Sequence, residues 1–292
     1  MRKTSQRQPR PAPTLQEQLP ELRAGQSIEL LKELHILTRD GRLNQDTRRK
    51  LKQVNHLLQF IEPLLQEALD ERGDVTLADH GAGKSYLGFM LYDLFFQGRA
   101  EGHVYGVEAR AELVERSRAL AGRLGFDRMA FLATTVQQAM AHPDLPERID
   151  VVTALHACDT ATDDAIDFGL ARQARFMVLV PCCQAEVAAS MRRHKALNLS
   201  RTPLAELWRH PLHTRELGSQ ITNVLRCLRL EAHGYEVTVT ELVGWEHSMK
   251  NELILARRRE PPRPGTTARA RERLDQLLDE FGLRDLGNRF AA

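Results

Sequence analysis

Between residues 22 and 69 apolar side chains recur every three or four positions. Ile28, Leu31, Leu34 and Leu37 form one series, and Asp40-Gly41 breaks it. Leu51, Val54, Leu57, Leu58, Ile61, Leu64, Leu65 and Leu69 form a second. That period predicts two amphipathic helices. From Asp74 onward the pattern changes to short apolar runs alternating with helical stretches. Residues 75–79, 103–108, 129–134, 150–155 and 176–180 read as strands, and 84–96 and 111–124 as helices between them. Residues 235–243 and 251–256 have too little chain between them for a helical crossover, so they read as an antiparallel pair. Arg257-Arg258-Arg259 and the Pro/Gly stretch to Gly265 read as a linker, and 268–281 as a last amphipathic helix. Strands alternating with helices predict an α/β fold, a doubly wound parallel sheet covered on both faces. The expected organisation is a disordered basic arm (1–20), a helical N-terminal region (21–72), an α/β domain (73–259), and a linker with a C-terminal helix (260–292).

Composition narrows the class. The chain has 292 residues, 42% hydrophobic and 27% charged, enough to build a core without metal or disulfide staples. No apolar run approaches the ~20 residues of a membrane span, so no membrane partner is expected. The first thirteen residues are basic and Pro-rich without an apolar stretch, unlike a secretory signal. Four cysteines, two of them adjacent at Cys182-Cys183, make no disulfide framework, which points to a reducing, cytoplasmic setting. The net charge of +2 hides two opposed stretches. Residues 144–167 carry seven acids against Arg148. Residues 188–230 carry eight bases against Glu206 and Glu216. Either stretch can be simply a solvated face.

The segment Leu77-Ala78-Asp79-His80-Gly81-Ala82-Gly83-Lys84-Ser85-Tyr86 joins the first strand to the first helix of the α/β part. Such a turn lies at the carboxyl edge of the sheet, where doubly wound folds bind ligands. Its glycines admit close backbone approach and positive φ. Gly83-Lys84-Ser85 matches the end of a phosphate-binding loop. However, Ala78 stands where that loop's first glycine belongs, and the apolar strands 151–155 and 176–180 run into His156 and Pro181-Cys182 instead of the second acid that would hold magnesium. A dinucleotide fingerprint would need glycine at Tyr86. Asp79-His80-Gly81-Ala82-Gly83 most resembles the first motif of class I S-adenosylmethionine-dependent methyltransferases. An acid there suits a cofactor carrying an ammonium group and repels polyphosphate. The resemblance covers roughly residues 74–259 and departs at Ser85, where many members have a third glycine. It implies a Rossmann-like seven-stranded sheet and S-adenosyl-L-methionine as cofactor. The cofactor would be held by Asp79, Gly81, Gly83 and Lys84 on the turn and by Glu108 at the ribose hydroxyls. Thr135 would lie near the adenine, with Leu155 at the fourth strand's end.

Methyl transfer from a sulfonium is an in-line displacement, so the enzyme mainly positions the acceptor and takes up its proton. Strands four and five end in Leu155-His156-Ala157-Cys158-Asp159 and Pro181-Cys182-Cys183-Gln184. In the methyltransferase fold His156, Asp159 and Cys182 would converge beside the methyl group, with Cys158 close by. His156 has the pKa of a general base but can equally orient a loop. Asp159 and Asp163 are alternatively helix caps, Asp163 especially, since a helix is expected to begin there. Adjacent cysteines are poor zinc spacing, and no metal is expected. His156-Ala157-Cys158 with Thr162-Asp163, Cys182-Cys183 and Lys250-Asn251-Glu252-Leu253-Ile254 resemble a subgroup that includes tRNA ribose 2′-O-methyltransferases. Asp159 and Gln184 depart from that pattern. The basic 188–230 stretch, with Trp208, His210 and His213, and the basic N-terminal segments (Arg2, Lys3, Arg7 and Arg10; Arg48, Arg49, Lys50 and Lys52) suggest RNA as partner, tRNA or rRNA. A protein substrate and a non-catalytic binding module are the alternatives.

Overall fold

A computed structural model describes Leu19 and residues 21–155, 159–181, 184–194, 201–242 and 252–291. Helix α1 (Ile28–Glu33) is capped by the Ser27 side chain, which accepts from the Leu30 N–H. Helix α2 (Gln45–Arg72) begins with a reciprocal cap between Asn44 and Thr47 and stops at Gly73, which takes the left-handed conformation. Its apolar face is buried: Leu57, Leu58, Ile61 and Leu65 are at most 1% exposed, each burial stabilising by about 1.5–3 kcal/mol. These leucines share one apolar cluster with Val75, Val151, Phe176 and Val178 of the sheet region, so the N-terminal helices pack on the sheet's first face.

The α/β part alternates as expected. Strand β1 (Thr76–His80) leads to α3 (Tyr86–Leu91), which continues through a π-helical turn, Tyr92–Phe96. Then come β2 (His103–Glu108), α4 (Ala111–Leu124), β3 (Met129–Ala133), α5 (Val136–Ala139), β4 (Val151–Leu155), α6 (Thr160–Ala171) and β5 (Phe176–Val180). Helix α7 (Glu186–His194), a 3-10 turn at Pro203–Trp208 and α8 (Pro211–Ala232) precede β6 (Tyr235–Glu241) and β7 (Glu252–Arg258). Helix α9 (Thr266–Glu280) packs its Leu274 and Leu278 into a separate apolar cluster with Val187, Ile221 and Leu225 of α7 and α8.

The sheet has seven strands in the order β3-β2-β1-β4-β5-β7-β6. Strands β1 to β5 are parallel, and β7 is antiparallel to both β5 and β6. This is the Rossmann-like, doubly wound seven-stranded sheet that the resemblance implies, with an N-terminal helical extension. The order reverses at β1, with β2 on one side and β4 on the other, so ligand chemistry belongs at the carboxyl ends of those strands. Two expectations shift. The first helix of the α/β part starts at Tyr86 rather than Lys84, because Ser85 sits at φ +52° and interrupts the turn. The arginine run is not linker: Arg257 and Arg258 pair with Phe176 and Tyr235 within the sheet.

Candidate active site

The β1–α3 turn is shaped by three positive-φ residues in alternation, Gly81 (+62°), Gly83 (+56°) and Ser85 (+52°). Glycine takes such angles without strain, whereas Ser85 takes them at a cost. Below the turn lies Asp79, 2% exposed, whose Oδ1 accepts from the Thr153 hydroxyl at 2.7 Å. Thr153 is the register partner of Asp79 on β4, so the hydroxyl arrives there by sheet geometry alone. Burial pushes the Asp79 carboxyl up to about 7, against the pull of that hydroxyl and of the Gly88 N–H. Asp79 thus anchors the turn from beneath. A ligand ammonium above the turn would meet its field and favour its charged form.

Glu108 ends β2 and reaches across to the same turn. Its Oε2 accepts from the Gly83 N–H at 2.8 Å, and its Oε1 accepts from the Arg110 N–H and Nε at 3.0 and 2.8 Å. Burial alone would raise the Glu108 carboxyl, but the Arg110 guanidinium and these N–H donors outweigh it and hold it below the usual range. The Arg110 side chain is 61% exposed, so its grip on the carboxylate is held loosely. A Cβ at Gly83 would come no nearer than 3.8 Å to any atom, that atom being an Arg110 guanidinium nitrogen. The space over Gly83 is therefore bounded by a movable arginine and, at 3.9 Å, by the Gly81 carbonyl. An acceptor pair on Glu108 beside such a gap suits a ribose diol.

The remaining expected cofactor contacts are spread along this edge. Lys84 is exposed. Thr135 caps α5, its hydroxyl accepting from the Gln138 N–H, so that side chain is committed to the helix. Leu155, half buried, packs against the first apolar cluster. His156, Cys158, Cys182 and Cys183 lie outside the described residues, as does the Trp208 side chain.

Asp159 is described, and its position is unusual. It has φ +48° and ψ −117°, and its carboxylate bonds the Ala185 N–H at 3.3 Å instead of capping α6. It therefore ties the exit of β4 to the exit of β5. Asp163 is not a cap either. Helix α6 begins at Thr160, and Asp163 accepts from Arg226 of α8 in a bidentate pair, Nε at 2.8 Å and Nη2 at 2.7 Å. Both side chains are at most 4% exposed. Arg226 also donates to the Asp159 carbonyl at 2.7 Å and to Asn223 Oδ1 at 3.2 Å. Asn223 in turn accepts from Gln184 and donates to Glu252 at the start of β7, and burial raises the Glu252 carboxyl above its usual range. This chain of bonds holds the β4, β5 and β7 ends together where an acceptor would enter.

Sequence reasoning missed this array and one further group, His80. Its ring lies 4.1 Å from Phe168, 1% exposed, with neither nitrogen bonded, and burial holds it down to about 3. Signals for some of these were present. Thr153 is a lone hydroxyl in an otherwise apolar strand, and Arg226 lies one helical turn from Thr222 and from Leu230, both buried on α8.

Residues 49–190, just under half of the chain, match the family model described as "Methyltransferase domain". That match includes β1 to β5 and the glycine turn. No curated protein matches the sequence. Solved structures that resemble it include a Podospora anserina methyltransferase bound to SAH (11% identity, TM-score 0.44), of which the alignment covers 87% and of this chain 79%. Magnesium protoporphyrin IX methyltransferase from Synechocystis, also with SAH, has 13% identity and a TM-score of 0.43, covering 79% of this chain and 93% of its own. An rRNA methylase from Streptococcus thermophilus has 11% identity and a TM-score of 0.40, covering 68% of this chain and 94% of its own. Likeness this distant carries no substrate from one to another.

Proposed function

We propose that this methyltransferase takes its methyl group from S-adenosylmethionine and delivers it to RNA, with tRNA or rRNA favoured. The observation that carries the cofactor is Glu108 bonded to the Gly83 N–H across an open glycine turn, with a buried acid beneath it. Bound S-adenosylmethionine supplies an electrophilic methyl on a sulfonium. Around it, Asp79 fixes the turn, Glu108 accepts the ribose hydroxyl protons, and Asp159 with the Arg226 array aligns the strand exits that meet the acceptor. Asp159, His156 and Cys182 are the proposed residues at the acceptor, His156 as the base that receives its proton.

The RNA reading rests on exposed charge. Arg192, Arg193, Arg201, Arg209 and Arg215 are exposed on or between α7 and α8, and Arg48, Arg49, Lys50 and Lys52 on the first turns of α2. Two arginines leave this count: Arg226 is buried against Asp163, and Arg229, 7% exposed, is paired with Asp167. A protein acceptor is favoured instead by Leu204, Leu207 and Leu212, which are 42–57% exposed on the same segment. Tritium transfer from labelled S-adenosylmethionine into RNA and protein fractions of cells lacking this chain tests the choice. Label in RNA supports the first reading, label in protein the second, and label in neither removes both.

A further inference from the structure

Opposite the glycine turn lies the amino edge of the sheet. Parallel strands of five residues place their amino ends roughly 16 Å from their carboxyl ends, so this region is separate from the glycine turn. Here the end of α2, the approaches to β4 and β5 and the end of β7 line an open groove of about 530 Å³. Its lining carries six arginines, Arg72, Arg148, Arg175, Arg257, Arg258 and Arg259, against only Glu71 and Glu260.

Most of these guanidiniums are held in place from behind. Glu67 bridges Arg175 and Arg257, and both also lie over the Phe176 ring, 5.0 and 4.9 Å from its centroid. Asp150, 2% exposed, takes Arg72, and Glu236 takes Arg259. Arg175 also meets Glu71, and Arg258 meets Glu260 at 3.0 Å. Each carboxylate occupies only part of any fork it meets, while a guanidinium has five donors. Arg148 differs from its neighbours. It makes no salt bridge to any described residue, and its Nε is buried without an acceptor. Five carboxylates thus serve five of the six arginines, and the uncompensated positive charge is that of Arg148.

We infer that this groove is a second ligand site, for a phosphoryl group, with Arg148, whose guanidinium no described carboxylate pairs, as its free charge. The chemistry follows from the donor set. Forks arriving from several chain segments match an anion with acceptors in several directions, as phosphate has and a lone carboxylate lacks. The volume admits a diphosphate or a backbone phosphate with its neighbouring sugar. The phosphoryl group is carried either on a polynucleotide or on a free polyphosphate.

Two titrations of the full chain test this, one with inorganic pyrophosphate by calorimetry and one with a structured RNA transcript at graded salt. Each is run on the wild type, Arg148→Ala and Arg148→Lys, with Arg271→Ala of the exposed α9 face as control. Arg148 bears no fold-holding ion pair, so the variants should melt as the wild type does, and melting curves verify this. If the ligand is a free polyphosphate, pyrophosphate affinity falls roughly ten- to a hundredfold in Arg148→Ala, lysine restores part of it, and RNA binding is unchanged. If the ligand is RNA, the slope of log K against log salt falls by about one in Arg148→Ala. The site is refuted when neither quantity responds to Arg148→Ala, or when Arg271→Ala changes them as much.

Discussion

Ser85 holds a left-handed backbone angle and buries a hydroxyl with no partner, two costs in one residue. Ser85→Gly removes both and is expected to stabilise the fold by about 1 kcal/mol, a rise in melting temperature of about 2 °C. A lower melting temperature would mean that the side chain packs to better effect than its orphaned hydroxyl suggests. Its neighbours Asp79 and His80 make a pair of opposed titrations. An unfolded histidine takes up a proton near 6.5, but buried His80 resists until about 3, so its burial costs stability as pH falls through that window. Folded Asp79 holds a proton up to about 7, whereas the unfolded residue releases it near 3.8, so its burial costs stability as pH rises. Between about pH 4 and 6.5 the two slopes oppose each other. His80→Phe should therefore gain on the wild type as pH falls from 7 to 4, and Asp79→Asn should gain as pH rises over the same range. Thermal melts across that range check both, and difference profiles that do not diverge would contradict the burial account.

At the scale of elements, α8 is the strut of the candidate acceptor site. Replacing Arg226 by methionine leaves Asp163 charged and buried alone, an expected loss of about 3–5 kcal/mol, while Asp163→Leu with Arg226→Met should recover most of it. Urea unfolding of both variants reads the difference, and equal losses would show that the pair is not the linkage. Gly218 is the contact point of α8 with α7. A Cβ there would lie 2.6–2.8 Å from the Ala188 backbone and Cβ, so Gly218→Ala should cost about 1–3 kcal/mol in the same assay. Much at this scale was legible in advance. Period and spacing mark out every strand to within two residues at either end, because alternation and turn chemistry are local. Asp79, Gly83 and Glu108 were legible from motif position. The Asp163–Arg226 pair and the Asn223–Glu252 bond were not, since they join residues tens of positions apart and each side alone reads as surface charge or cap. Ser85 was visible as a departure, but its angle depends on the turn closing around Glu108.

Across the whole molecule the near-neutral charge has a structural meaning. The acidic 144–167 stretch and the basic 188–230 stretch partly cancel by contact, through Asp163 with Arg226 and Asp167 with Arg229. The acids do not all gather at the reacting edge either: Asp150 bonds Arg72 and Thr76 at the amino edge, beside the arginine groove. No helix among the described residues is long and apolar enough to cross a membrane. What remains for an anionic acceptor is the exposed arginine set of α7, α8 and the loop between them, together with the α2 turn. The central claim is that the glycine turn, Asp79 and Glu108 hold S-adenosylmethionine. Calorimetry of the purified chain with that cofactor tests it most directly. The account predicts one-site binding that weakens roughly ten- to a hundredfold in Glu108→Ala, the loss of hydrogen bonds to a charged group. Absence of binding at millimolar cofactor, or heat from ATP with magnesium in its place, would contradict it.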